Sequence, residues 1–247
     1  MHGAHPGTAR NPPSSSSPPA NARIHPHDLP RQVAANLWQV RGSLSVPLVP
    51  RYMTIHRLSD GRLILYSAIA MHEDGMAALE ALGTPSILIV PHDRHQMDAP
   101  FYKQRYPNLR VLAPEPSHAR NVPIDGDVSE LDALGIRAYP LPGTSYREVI
   151  LEIPIHDGVA LCACELLGHF EHAHGVLGMF TRIFGPPNGE FGVNRAVRWR
   201  EVIDRQKVKD WLASLAGRTD IRLVVLAHGT PLTADVPAAL RRAAAEA

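Results

Sequence analysis

The sequence predicts an α/β fold, on the border with α+β, in which sheet layers are covered by helices. Three observations carry this. Short continuous apolar runs of strand length occur at residues 86–90 (SILIV) and 222–227 (RLVVLA), the pattern of strands buried on both faces. Strand–turn–strand units come early in the chain and recur in its second half. Segments with apolar residues at helical spacing fall between and after the strands.

In chain order, residues 1–35 are rich in Pro, Ser and His and nearly free of large apolar residues, so they read as a disordered tail preceding a domain over residues 36–247. Residues 37–40 read as a short strand. Residues 51–58 and 62–67 form a hairpin around Ser59-Asp60-Gly61, where glycine suits a tight turn. Residues 72–82 place Met76, Ala77, Leu79 and Leu82 on one helical face, and Gly83 stops the helix. Strand 86–90 follows, then a polar loop, a short helix at 100–106 and a strand at 110–113. Residues 136–141, 149–155 and 159–164 are strands, the last two joined by the turn His156-Asp157-Gly158. Residues 168–192 are Gly-rich and read as irregular. Residues 194–215 read as one long helix, 222–227 as the last buried strand and 237–247 as the last helix.

Composition narrows the function. Net charge is +1, which gives no basic face for nucleic acid. No apolar run reaches the length of about 18 residues needed to span a membrane, and the N-terminus lacks the apolar centre of a secretory signal. Only two cysteines occur, Cys162 and Cys164. With one residue between them on a strand, they read as reduced core residues. A cytoplasmic protein acting on a small-molecule substrate or ligand is the expectation, with no nucleic-acid or membrane partner.

Chemistry is expected where buried strands end, because strands hold the following loops rigidly. Three such ends carry metal-capable side chains: His92, Asp93, His95 and Asp98 after SILIV; Glu165, then His169, His172 and His174, after VALCAC; and His228 after RLVVLA. Imidazole with carboxylate suits one Zn ion, with Fe or Mn as alternatives. The set His92, His95, Glu165 and His228 supplies enough ligands for such a site. Arg195 and Arg198, one turn apart, are candidates for receiving an anionic substrate group, against the plainer reading of a solvated helix face. Asp93 and Asp98 read as turn or cap residues, and His169, His172 and His174 as a surface lid.

The order of these elements resembles the metallo-β-lactamase superfamily over residues 36–240. The matching stretches are SILIVPHDRHQMD, LPGTSYREVILEI, VALCACELL and VVLAHG. The resemblance implies a four-layer αββα sandwich and a metal-dependent hydrolase. It places His92 at the first motif His, Arg94 at the second, Gln96 and Met97 at the following Asp-His, Thr144 at the next motif His, Glu165 at a metal-bridging Asp, and His228 at the final His. The chain looks still more like a diverged branch catalogued as a domain of unknown function, through LWQVRG, RYMTIHRLSDGRLILYS, His95, the Arg-rich helix and AHG. Two functional classes lead, with redox chemistry at an iron site, which predicts Fe rather than Zn, as a third. One is a hydrolase with a single metal ion acting on an ester or thioester-type bond. The other is a non-catalytic descendant that has lost metal, binds a ligand or partner, and is closed by an Arg94–Glu165 contact.

Overall fold

The computed structural model describes residues 24–43, 50–117, 119–145, 148–170, 175–186 and 190–247. Its elements in order are β1 (Arg31–Ala34), β2 (Leu37–Gly42), β3 (Arg51–Arg57), β4 (Arg62–Tyr66), α1 (Glu73–Leu82), β5 (Thr84–Ile89), α2 (Ala99–Arg105), β6 (Arg110–Ala113), β7 (Gly126–Asp127), β8 (Arg137–Pro140), β9 (Val149–Ile155), β10 (Gly158–Ala163), β11 (Leu167–Gly168), α3 (Gly175–Phe184), β12 (Gly192–Val193), α4 (Arg195–Glu201), α5 (Arg205–Ala216), β13 (Ile221–Leu226) and α6 (Val236–Glu246). Short 3₁₀ turns cover Asp93–Gln96 and Val128–Leu134.

Strands β1 to β7 form one seven-stranded sheet in sequence order, antiparallel through β4 and parallel from β4 to β7. A second sheet runs β13-β10-β9-β8, with β10 and β13 parallel. Side chains alternate along each central strand between an inner core and an outer one, giving three cores in all. Ile64, Tyr66, Ile87 and Ile89 meet Val149, Leu151, Cys162, Leu223 and Val225 between the sheets. The opposite faces pack outward. Leu63, Leu65 and Leu88 lie against Met76 and Leu79 of α1 and Phe101 and Tyr102 of α2. Leu161, Val224 and Leu226 lie against Leu212 and Leu215 of α5 and Leu240 of α6. The result is the four-layer αββα sandwich expected. Burial on both faces is why residues 87–90 and 223–227 are apolar without alternation, while Arg222 at the outer end of β13 is exposed. The Tyr66 hydroxyl crosses the inner core and donates to the Val149 carbonyl at 2.7 Å, tying the two sheets together. Cys162 and Cys164 are free thiols in that inner core.

Three sequence expectations change. The large sheet begins at Arg31, four residues before the expected end of the tail, because β1 pairs with β2 through Arg31 and Gln39. The expected helix over 194–215 is two helices. Its chain breaks after Glu201, where Ile203 and Asp204 both donate backbone N–H bonds to the Gly143 carbonyl. Asp204 then caps α5 by accepting from the Lys207 N–H. Gly143, at φ 78°, permits this approach, since a Cβ there would lie 2.5 Å from the Asp204 carbonyl oxygen. The stretch read as irregular contains α3, whose two glycines, Gly175 and Gly178, are poor helix formers and disguise it in the sequence.

Candidate metal centre

The C-terminal ends of β4, β5, β10 and β13 meet at one edge of the sandwich, and each delivers a polar residue there. Ser67 follows β4, His92 to His95 follow β5, Glu165 follows β10 and His228 follows β13. Three of the four residues expected as ligands converge. The Nε2 atom of His95 lies 3.1 Å from Glu165 Oε1 and 3.2 Å from His228 Nε2. His228 Nε2 lies 4.0 Å from the same Glu165 oxygen. One donor atom from each of the three lies within 4.8 Å of the others.

Hydrogen bonds behind the rings set their orientation. The Nδ1–H of His228 donates to the Pro50 carbonyl at 3.2 Å, so its Nε2 lone pair faces the centre. His95 Nδ1 lies 2.7 Å from Ser67 Oγ. Ser67 is a non-glycine residue at φ 61°, a backbone state that costs energy and tends to persist at functional positions. Burial lowers the His95 pKa to about 4 despite the hydrogen bond and charge of Glu165, so the ring is neutral at neutral pH. Neutral imidazole is the form that ligates metal.

Glu165 is held from three sides. Glu148, fully enclosed, accepts from the N–H groups of Cys164 (2.6 Å) and Leu166 (2.9 Å), one on each side of it. Asn194 donates its amide to the Glu165 carbonyl at 2.6 Å. Burial alone would raise the Glu165 carboxyl. The hydrogen bonds from His95 and from the Arg94 guanidinium outweigh it and hold the group well below the ordinary carboxylate range.

His92 is not brought into the cluster. Its Nδ1 accepts from the Arg94 N–H at 3.1 Å, so its Nε2–H faces Glu201 Oε2 at 3.3 Å. Both ring nitrogens are therefore engaged within the loop and with α4. Arg94, at the position of the second motif His, donates from Nε to Glu165 and from its terminal nitrogen to Glu201. Gln96, at the motif Asp, accepts from the backbone N–H groups of Arg120 and Asn121. Asp98 pairs with Arg51, and the Thr144 hydroxyl donates to the Leu141 carbonyl. Arg195 and Arg198 reach the carbonyls of Arg182 and Glu246 and do not line the cleft described below. His169 donates to the Thr230 carbonyl at 3.0 Å beside Gly229. That glycine, at φ 114°, is required because a Cβ would meet the His169 carbonyl oxygen at 2.2 Å. His172 and His174 lie outside the described residues.

Sequence reasoning missed Ser67, Glu148, Arg200 and Glu201. Glu201 is the one acid in an Arg-rich helix. Almost fully buried, it accepts from Arg94 and faces His92. A cleft of about 300 Å³ opens onto the cluster, lined by Glu165, His228, Phe170, Thr181, Phe184, Asn194, Ala196, Val197 and Arg200 among others.

Comparison with solved structures identifies the architecture. The FIM-1 metallo-β-lactamase from Pseudomonas aeruginosa, solved in a mono-zinc form, shares 12% identity over 92% of this chain and 98% of its own, with a TM-score of 0.60. A metallo-β-lactamase from Pontibacter korlensis shares 13% identity over 88% of this chain and 99% of its own, with a TM-score of 0.60. One from Erythrobacter litoralis shares 14% over 88% and 92%, with a TM-score of 0.56. The chain therefore has the metallo-β-lactamase fold. No protein-family model matches the sequence, and no curated protein matches it significantly. Among the described residues no helix is long and apolar enough to cross a membrane.

Proposed function

We propose that this chain is a metal-dependent hydrolase with a single-ion centre at His95, Glu165 and His228, acting on an ester or thioester-type bond of a small molecule. The observation that carries the proposal is the convergence of one anionic and two imidazole donors, within 4.8 Å of one another, beside an open cleft that Glu165 and His228 line. The donor set fits the group: three protein ligands with a position left open is the arrangement of catalytic rather than structural zinc. Zn is the expected ion, and the same donors accept Fe or Mn. A bound divalent ion supplies Lewis acidity and a water nucleophile at neutral pH.

The chain's own residues do the rest. Pro50 and Ser67 hold the two rings, and Glu148 and Asn194 fix the backbone that carries Glu165. Arg94 disfavours a second ion, because its guanidinium already neutralises Glu165 and Glu201. A cytoplasmic location belongs to this reading, supported by the two buried, unbridged cysteines.

One observation favours a second reading, a ligand-binding protein without metal. The 2.9 Å contact of Arg94 Nε with Glu165 Oε1 occupies one potential ligand atom with a fixed cation. Elemental analysis of protein purified from metal-supplemented cells separates the two. About one ion per chain is expected from a single three-ligand site. Trace metal only, with no uptake on titration, would overturn the hydrolase reading in favour of the second.

A further inference from the structure

The cleft that opens on this centre has a chemical character of its own, and from it we infer the substrate class: an apolar acyl or aryl group of medium length. The inference rests on the hydrolytic reading for the reaction, but not for the binding. The walls come from two helices. α3 contributes Thr181 and Phe184, spaced about one turn apart, and α4 contributes Ala196, Val197 and Arg200 on one side of its short helix. Phe170, two residues after β11, completes the apolar lining.

Polar side-chain groups along these walls are engaged internally, apart from the enclosed Asn194 Oδ1, which has no hydrogen-bond partner. The Thr181 hydroxyl donates to the Gly178 carbonyl within α3. The Asn194 amide donates to the Glu165 carbonyl. Away from Glu165 and His228, the cation in the lining is Arg200, whose side chain is 58% exposed and lies beside Glu201. A sugar or nucleotide here would turn hydroxyls or phosphates toward Phe170, Phe184 and Val197 and lose their hydration without replacement. An alkyl chain or aromatic ring loses nothing of that kind and gains by leaving water.

Size sets the length. An apolar cavity of about 150 Å³ holds one benzene ring. At about 300 Å³, this cleft takes on the order of eight to twelve carbon atoms on that scale. With the acyl body seated between α3 and α4, its carbonyl end faces Glu165 and His228. Hydrolysis then adds water oxygen to the carbonyl carbon and breaks the C–O or C–S bond. The alcohol or thiol leaves with one proton of the water, the acid product gives the other to solvent, and a carboxylate remains.

The test uses full-length protein stripped of metal with EDTA, so that binding is read without turnover. Acetyl, octanoyl and lauroyl thioesters of N-acetylcysteamine are titrated by calorimetry. The octanoyl ester is expected to bind at least about tenfold more tightly than the acetyl ester. Ala196→Trp, which fills the cleft, should abolish that preference while zinc affinity stays within about twofold. Val197→Asn, which adds a polar wall without bulk, should reduce it and covers the case in which the tryptophan variant does not fold. Equal binding of acetyl and octanoyl esters, or a preference unchanged in both variants, overturns the assignment. Chain-length preference in a protein that takes up no metal sinks the hydrolase reading and leaves the cleft assignment standing. Metal uptake without chain-length preference does the reverse.

Discussion

Arg94 Nε lies 2.9 Å from Glu165 Oε1, the same oxygen that His95 Nε2 approaches at 3.1 Å. One carboxylate oxygen thus serves both a permanent cation and a candidate metal ligand. The two roles oppose each other, because charge drawn toward the guanidinium is withheld from an ion between His95 and His228. Arg94→Gln should therefore raise zinc affinity, by about tenfold or more, measured by competition with a chelator. The metal-free variant should be less stable by about 2 kcal/mol, since Glu165 and Glu201 lose their shared partner. That figure sits below the range for fully buried pairs because the Arg94 side chain is 38% exposed. Unchanged zinc affinity would mean that Arg94 and the ion do not compete.

The two histidines of the β5 loop should separate cleanly. His228→Ala and His95→Ala each remove a ligand and should drop metal content from about one ion per chain to trace. His92→Ala should leave it unchanged, because His92 faces Arg94 and Glu201. Elemental analysis of the three variants decides it. Loss of metal in His92→Ala with retention in His95→Ala would reverse the assignment of the loop.

Much of this arrangement was legible in the sequence, for a physical reason. Strands buried on both faces have to be apolar throughout, so SILIV and RLVVLA announce themselves, and the polar residues that end them mark loops held in place. His95, Glu165 and His228 were found in that way. What was not legible depends on contacts distant in sequence. Nothing local distinguishes His92 from His95; the difference is that one accepts from the Arg94 N–H and faces Glu201, more than a hundred residues on. Glu201 itself reads as part of a charged helix face until the chain folds Arg94 onto it. The break between α4 and α5 is set by the Gly143 carbonyl from another loop, and only the cap at Asp204 was available as a local signal.

The link between the sheets can be tested at one atom. Tyr66→Phe removes the hydroxyl that donates to the Val149 carbonyl while leaving the ring packed in the inner core. Loss of one buried neutral hydrogen bond should cost about 1 kcal/mol in denaturant unfolding, with zinc stoichiometry unchanged. A change in stoichiometry would show that the spacing of the two sheets, and not only the loops, sets the site.

Acid should act on this protein through two buried groups of opposite sign. Burial lowers the His95 pKa from its ordinary 6.5 to about 4. Between those values the unfolded chain binds a proton that the folded chain refuses. The stability contributed by His95 is therefore complete above pH 6.5 and is lost as pH falls toward 4. Glu148 works the other way. Burial raises its carboxyl from 4.5 to about 7, against the two backbone N–H groups that favour its charge. The folded chain takes up that proton first and gains stability as pH falls from 7 to 4.5. In metal-free native protein the two slopes oppose over most of their range, and urea midpoints should change little between pH 6.5 and 5. His95→Gln removes one slope and leaves the other, so the variant should grow more stable on acidification across the same interval. Relative to the native chain it should gain on the order of 3 kcal/mol by pH 4, the size expected for a shift of this extent. Parallel pH profiles for the two proteins would show that the His95 ring is not held neutral by its burial.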